Sequence, residues 1–167
     1  MHATKHEHYM QLALEQARIA YSQGEVPIGA IIVQHDIVIA KAYNQTEQLQ
    51  QPLAHAEKLA IEQAAIYVNS RRLTDCALYV TLEPCAMCAG AIILSRIPKV
   101  FYASYDPKAG AVTSLYTLLE DMRLNHRCEV HQGIMANESS QLLSTFFKEL
   151  REGRIVKTRS IGLNNEL

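Results

Sequence analysis

The run Ala77-Leu-Tyr-Val-Thr-Leu82, the segment Pro84-Cys85-Ala-Met-Cys88-Ala-Gly-Ala-Ile-Ile-Leu-Ser95 and the run Lys99-Val-Phe-Tyr-Ala103 together decide the fold. Ala77–Leu82 is short and almost wholly apolar, as a central strand is when both of its faces are covered; a strand with one wet face alternates instead. Pro84 is tolerated at a helix start and not inside one, so Cys85–Ser95 reads as a helix beginning at Cys85. Lys99–Ala103 is a second strand. Strand, helix and strand in succession call for a right-handed crossover between parallel strands. With Glu129–Gln132 as a further strand, the alternation from residue 77 to 132 predicts a parallel half-sheet with helices on both faces.

Upstream, the β-branched runs Ile28–Val33 and Ile37–Ala42 flank Gln34-His35-Asp36 and predict a hairpin with a polar turn, the antiparallel edge of the same sheet. Thr4 caps a first helix whose apolar positions Met10, Ala13, Leu14, Ala17, Ala20 and Tyr21 keep 3/4 spacing until Gly24 stops it. Ala56, Leu59, Ala60, Ala64 and Tyr67 stripe a helix from about His55 to Tyr67. A last helix, about Met135 to Arg151, shows Leu142, Leu143, Phe146, Phe147 and Leu150 on one side and should pack on the sheet. The expected architecture is α/β: a three-layer α/β/α sandwich over a mixed five-stranded sheet.

The chain has 167 residues, 49% of them hydrophobic, and its 16 Lys+Arg against 17 Asp+Glu leave a net charge of −1. That is the size of one domain, with enough chain to bury a core without disulfide staples. No apolar stretch approaches the roughly 18 residues of a transmembrane helix, and the N-terminus lacks the apolar centre of a secretory signal, so a cytoplasmic location is expected. Balanced charge argues against a purely electrostatic nucleic-acid binder. Five bases (Lys148, Arg151, Arg154, Lys157 and Arg159) nevertheless crowd the C-terminal end against Glu149 and Glu152. They read either as a solvated helix face or as contacts to RNA.

Of four cysteines, Cys85 and Cys88 form a C-x-x-C, which by itself suits a redox pair, a structural metal site or chance. Cys76 and Cys128 have no ligand spacing and read as small core or strand-flank residues. The combination of His55-Ala-Glu57 with Pro84-Cys85-x-x-Cys88 is far more restrictive. His55, Cys85 and Cys88 offer zinc three ligands, one short of a closed structural site, so a water can take the open position. Two thiolates cancel the charge of the metal, and a separate base is then needed; Glu57 can accept the proton of that water. Residues i and i+2 point about 200° apart along a helix, so His55 and Glu57 share a site only at a helix start. Pro52 and Pro84 place both motifs there, where free N–H groups and the dipole favour thiolate and hydroxide.

On these motifs the chain resembles the cytidine/deoxycytidylate deaminase superfamily, and most closely its bacterial tRNA-specific adenosine deaminase branch. The likeness runs over about residues 8–151 and includes Gly24-Glu-Val-Pro-Ile-Gly-Ala30, Asn44, Ala54-His-Ala-Glu57, Tyr79–Gly90, Asp106-Pro-Lys-Ala-Gly-Ala111, Asn125-His-Arg127 and the Leu142–Phe147 helix. The resemblance implies a cytidine deaminase-like fold, one Zn2+ per subunit and a homodimer. It implies that a tRNA anticodon loop is bound and its wobble adenosine, position 34, flipped out and hydrolysed to inosine, with attack at C6 and Glu57 carrying the proton. By the same resemblance Asn44 and the Ala56 N–H read the base, Val26, Pro27 and Ile28 wall the pocket, and Asp106 and Lys108 meet the anticodon loop; plain turn chemistry also accounts for the last two. Phe147 reads either as core or, beside Lys148 and Arg151, as a platform for a splayed base. Residues 1–157 are then a single zinc-dependent deaminase domain and 158–167 a tail. Gln51 and Lys58 depart from the family pattern, at the entrance loop and in local packing, and neither touches the zinc chemistry.

Two rivals share part of this pattern. A deaminase of a free base or nucleotide (guanine, cytosine or deoxycytidylate) has the same zinc motif but no need of the basic, aromatic C-terminal helix. A zinc-stabilised binding module has no use for Glu57 or for an open coordination position.

Overall fold

The computed structural model describes residues 4–157, so the expected tail 158–167 lies outside the described residues. Helix α1 (Lys5–Ser22) begins at a reciprocal capping box: the Thr4 side chain accepts from the Glu7 N–H, and the Glu7 carboxylate accepts from the Thr4 N–H. Such a cap stabilises by about 1 kcal/mol. Strands β1 (Gly29–Gln34) and β2 (Ile37–Tyr43) follow, then α2 (Thr46–Leu49), α3 (Ala56–Tyr67), β3 (Cys76–Leu82), α4 (Ala86–Ser95), β4 (Lys99–Ser104), β5 (Glu129–Gln132) and α5 (Ala136–Arg151). The hairpin turns on His35 and Asp36, both at positive φ (48° and 64°), as a tight two-residue turn of the primed type requires.

The sheet order is β2-β1-β3-β4-β5. β1 is antiparallel to β2 and β3, whereas β3, β4 and β5 run parallel. The sheet is therefore mixed and five-stranded, as expected. One part of the expectation needs correction: between β4 and β5 there is no long crossover helix but turns and a single 3-10 turn, Leu118–Glu120. The first part of that connection, residues 106–114, is organised by hydrogen bonds to a buried carboxylate, described below, which sequence periodicity does not register.

Helices α1 and α5 cover one face of the sheet, α3 and α4 the other. Alternation along β3 shows why its sequence is apolar throughout: Tyr79 packs with Tyr9, Met10, Ala13 and Phe101 on the α1 side, while Leu78 and Val80 meet Ala60, Ala64 and Ile92 on the α3/α4 side. Each fully buried Leu or Ile in these layers contributes about 1.5–3 kcal/mol over exposure. Close approach is enforced at Gly29, where an added Cβ would stand 2.0 Å from the Ala13 carbonyl oxygen. Cys76 and Cys128 are buried, as expected of core residues. On α5, Phe146 is fully buried, Leu142, Leu143 and Leu150 are half-buried, and Phe147, open between core and platform, is exposed. α5 thus grips the sheet along a narrower stripe than its apolar content implies.

Candidate active site

The two motifs meet where two helices begin. His55 is the N-cap of α3 and Cys85 the N-cap of α4, both with extended backbone, and Cys88 lies one turn further on, fully buried. His55 Nδ1 stands 3.6 Å from the Sγ of Cys85 and 3.6 Å from the Sγ of Cys88. The three donor atoms all lie within 4.8 Å of one another, and they form the one such cluster of metal-ligating side chains found among the described residues. One imidazole nitrogen and two sulfurs at the positive ends of two helices are a donor set that can hold a metal ion.

The cluster shares charge unevenly. The Cys85 thiol is held down to about 4, chiefly by the hydrogen bond from Cys88 and further by His55. The Cys88 thiol is pushed up by the neighbouring Cys85 sulfur and by burial. His55 is raised, first by its contact with Cys85. Glu57, the second residue of α3, is only 4% exposed, and burial pushes its carboxyl up to about 7 despite its own backbone N–H and the Cys88 thiol, which pull the other way. A carboxyl so placed exchanges a proton near neutral pH.

Val26 and Ile28 are half-buried and Pro27 buried on the segment between α1 and β1. Asn44 follows β2, is buried, and donates its backbone N–H to the Ile28 carbonyl at 3.0 Å. Its Nδ2 donates to Glu25 Oε2 at 3.3 Å and to Thr46 Oγ1 at 3.5 Å. Ala56, the first residue of α3, is buried beside His55, and its N–H has no partner within the helix by position. Gln45 N–H donates to the Ala54 carbonyl at 3.0 Å and so ties the Asn44 segment to the start of α3.

Asp106 is half-buried and Lys108 exposed, in the loop after β4. Asp106 Oδ1 accepts from the N–H groups of Lys108 (3.0 Å) and Ala109 (3.2 Å), which is the turn chemistry expected of such a loop. Phe147 is 40% exposed beside fully buried Phe146, edge to face at 5.5 Å, and Arg151 is exposed at the end of α5. Both lie in the opposite helical layer from α3 and α4. The segment after α5 returns toward the Asn44 side, where Lys157 Nζ pairs with Glu47 of α2 at 2.6 Å.

Two supporting carboxylates escaped the residue-by-residue reading. Glu25, fully buried, accepts from Asn44 and from the N–H groups of Glu47 and Gln48, which cap α2. Glu83, 2% exposed, accepts from Asp106, Val112, Thr113 and Ser114. Burial alone would raise Glu83, but donation from the Ser114 hydroxyl and from these backbone groups outweighs it and holds the carboxyl below its ordinary value. The one available signal was an acidic residue one or two positions before a proline, in Gly24-Glu-Val-Pro27 and Leu82-Glu-Pro84, the second directly after an apolar run.

Comparison with known proteins gives the family. The family model for MafB19-like deaminase matches residues 4–151. The tRNA-specific adenosine deaminase of Bacillus subtilis is 46% identical over 159 residues, covering 95% of this chain and 99% of its own length. That of Aquifex aeolicus is 47% identical, covering 89% and 98%. A solved structure from work on A-to-I editing by tRNA:A34 deaminases superposes with a TM-score of 0.79 at 43% identity, over 81% of this chain and 99% of the other. This chain therefore belongs to the MafB19-like deaminase family, in the branch of the tRNA-specific adenosine deaminases.

Proposed function

We propose that the protein is a zinc-dependent hydrolase that deaminates adenosine to inosine at wobble position 34 of a tRNA anticodon. The observation that carries the reading is the convergence of His55, Cys85 and Cys88 with a buried, protonatable Glu57 beside them. Tetrahedral zinc, with bonds of about 2.3 Å to sulfur and about 2.0–2.1 Å to nitrogen, sets its N and S ligand atoms about 3.5–3.6 Å apart; His55 Nδ1 is 3.6 Å from each sulfur. The residues fit the ion. Three protein ligands leave one position free, and zinc bound there supplies Lewis-acid activation of a water molecule.

Glu57 takes a proton from the water that attacks C6 and passes it to N1 of the ring; it then takes the remaining proton from the hydroxyl formed on C6 and delivers it to the exocyclic nitrogen, so that the C6–N bond breaks, ammonia leaves and the C6 carbonyl of inosine forms. Asn44 and the Ala56 N–H hold the flipped base. Val26, Pro27 and Ile28 exclude water from its apolar face. Asp106 and Lys108 meet the anticodon loop, and Phe147 and Arg151 contact flanking RNA by stacking and charge. The relatives named for tRNA deamination support this substrate over a free base. A homodimer with one zinc per subunit accords with exposed Ile66 and Tyr67 on α3 and Leu94 on α4, which leave apolar surface for a second copy. Residues 1–157 act as one domain in the cytoplasm; among the described residues no helix is long and apolar enough to cross a membrane.

The test measures zinc per chain and inosine formed on an anticodon stem-loop with adenosine at position 34, alongside free adenosine, cytidine and guanine. One zinc and turnover of the stem-loop are expected. Turnover of a free base with none on the RNA would transfer the reading to a small-molecule deaminase.

A further inference from the structure

We propose that Glu83 is a positioning residue, a clasp that holds the loop carrying Asp106 and Lys108 in fixed relation to the metal ligand Cys85. The inference rests on the functional reading above, which makes that loop an RNA contact and Cys85 a ligand. Glu83 Oε2 accepts from the Asp106 N–H at 3.0 Å and from the Ser114 hydroxyl at 2.5 Å. Its Oε1 accepts from the N–H groups of Val112 (3.2 Å), Thr113 (2.7 Å) and Ser114 (2.8 Å). A carboxylate has about four lone-pair sites, so these contacts saturate it. The donors come from both ends of the 106–114 loop, and one side chain therefore closes the loop on itself.

The same segment is stitched to the ligand along its backbone. The Glu83 N–H donates to the Ser104 carbonyl at 2.9 Å, the Ala111 N–H donates to the Pro84 carbonyl at 2.9 Å, and Cys85 and Gly110 form an isolated antiparallel bridge. Gly110 lies flat on the clasp: a Cβ there would stand 2.3 Å from Glu83 Cδ and Oε2, and 2.6 Å from the Asp106 carbonyl oxygen. Three consecutive residues, Glu83 to Cys85, thus bind the loop with the first and present a metal ligand with the last. Glutamate is required here because an amide in its place turns an N–H toward other N–H groups.

The experiment uses the zinc-loaded full chain and reads three quantities: zinc content, hydrogen exchange at the amides of residues 106 and 112–114, and kcat and KM on the stem-loop. For Glu83→Gln the expected result is unchanged zinc, loop amides exchanging about tenfold faster or more, and KM raised about tenfold while kcat changes less than about threefold. Gly110→Ala, which moves the loop and leaves the carboxylate's charge in place, should reproduce this pattern and decides the matter if Glu83→Gln does not fold. Ser114→Ala, removing one donor, should give a smaller step in the same direction. Faster exchange with unaltered KM would reduce Glu83 to a structural cap, and lost zinc, or a fall in kcat at constant KM, would place its effect at the metal centre; either overturns the proposal. An unmodified chain that makes no inosine overturns the functional reading and not the clasp, which unchanged exchange in Glu83→Gln would overturn independently.

Discussion

Glu57 and Glu83 are the same residue, equally hidden from solvent, and they end in opposite states. Glu57, at the start of α3, is buried beside His55, Cys85 and Cys88, and burial pushes its carboxyl up to about 7, its own N–H, His55 and the Cys88 thiol offsetting only part of the rise. Glu83, at the end of β3, is ringed by N–H groups and a hydroxyl and is held below its ordinary value. Burial penalises both charges; the number of donors aimed at each decides the outcome. A buried carboxyl left short of donors is suited to moving a proton, and a saturated one is suited to holding a loop.

The largest expected effect tests the first half of this contrast. Glu57→Gln should lower kcat about 10²- to 10⁴-fold while zinc stays bound, and thermal stability should not fall, since a poorly solvated carboxyl is removed. An active Glu57→Gln enzyme, in a single-turnover assay of inosine formation, would break the proton-transfer role. Glu83→Gln should behave in the opposite way, losing about 1–3 kcal/mol of folding stability in urea titrations because buried N–H groups lose their acceptor. Equal stability of the two variants would erase the distinction.

The pH dependences should also have opposite signs. Because the folded carboxyl of Glu57 titrates near 7 and an unfolded one near its ordinary value of 4.5, its contribution is fully present below 4.5 and is lost as pH rises toward 7. In metal-free protein, Glu57→Gln should therefore gain on the parent across that window. For Glu83, lowered in the fold, the contribution is present above 4.5 and is lost as the medium is acidified below it, so Glu83→Gln should be less acid-sensitive than the parent. Stability measured against pH for the three proteins checks both signs. The smallest effect falls outside both regions: Phe147→Ala, on the exposed side of α5, should change stability by less than about 0.5 kcal/mol. Its stem-loop Kd should nonetheless weaken by about 1–3 kcal/mol if a base stacks there, and a large stability loss with unaltered Kd would restore Phe147 to the core.

The site was legible where its chemistry is local. His55 with Glu57, and Cys85 with Cys88, are spaced within one helical turn, and Pro52 and Pro84 announce the helix starts that let those side chains converge. The β3-α4-β4 unit was legible for the same reason, because apolar runs and a proline mark its boundaries. α2 was not, since four residues carry no periodicity; its first turn is capped by Glu25, more than twenty positions upstream. Nor was the first part of the connection between β4 and β5, residues 106–114, which follows the Glu83 carboxylate rather than any repeat in its own residues. Phe146 and Phe147 are alike in sequence, and only the packing of α5 against Tyr21 and the sheet separates the buried ring from the exposed one.

By itself, then, the sequence determined the layered α/β architecture, the parallel half-sheet, and the two local motifs that carry the candidate ligands and the carboxyl, His55 with Glu57 and Cys85 with Cys88, because each depends on residues near one another along the chain. Tertiary structure alone decided that His55 stands 3.6 Å from both sulfurs, that Glu57 is raised and Glu83 lowered, and that one carboxylate clasps the loop to the ligand-bearing segment. The physical reason is that protonation and orientation depend on which dipoles surround a buried group, and around Glu83 those dipoles arrive from residues up to 31 positions away.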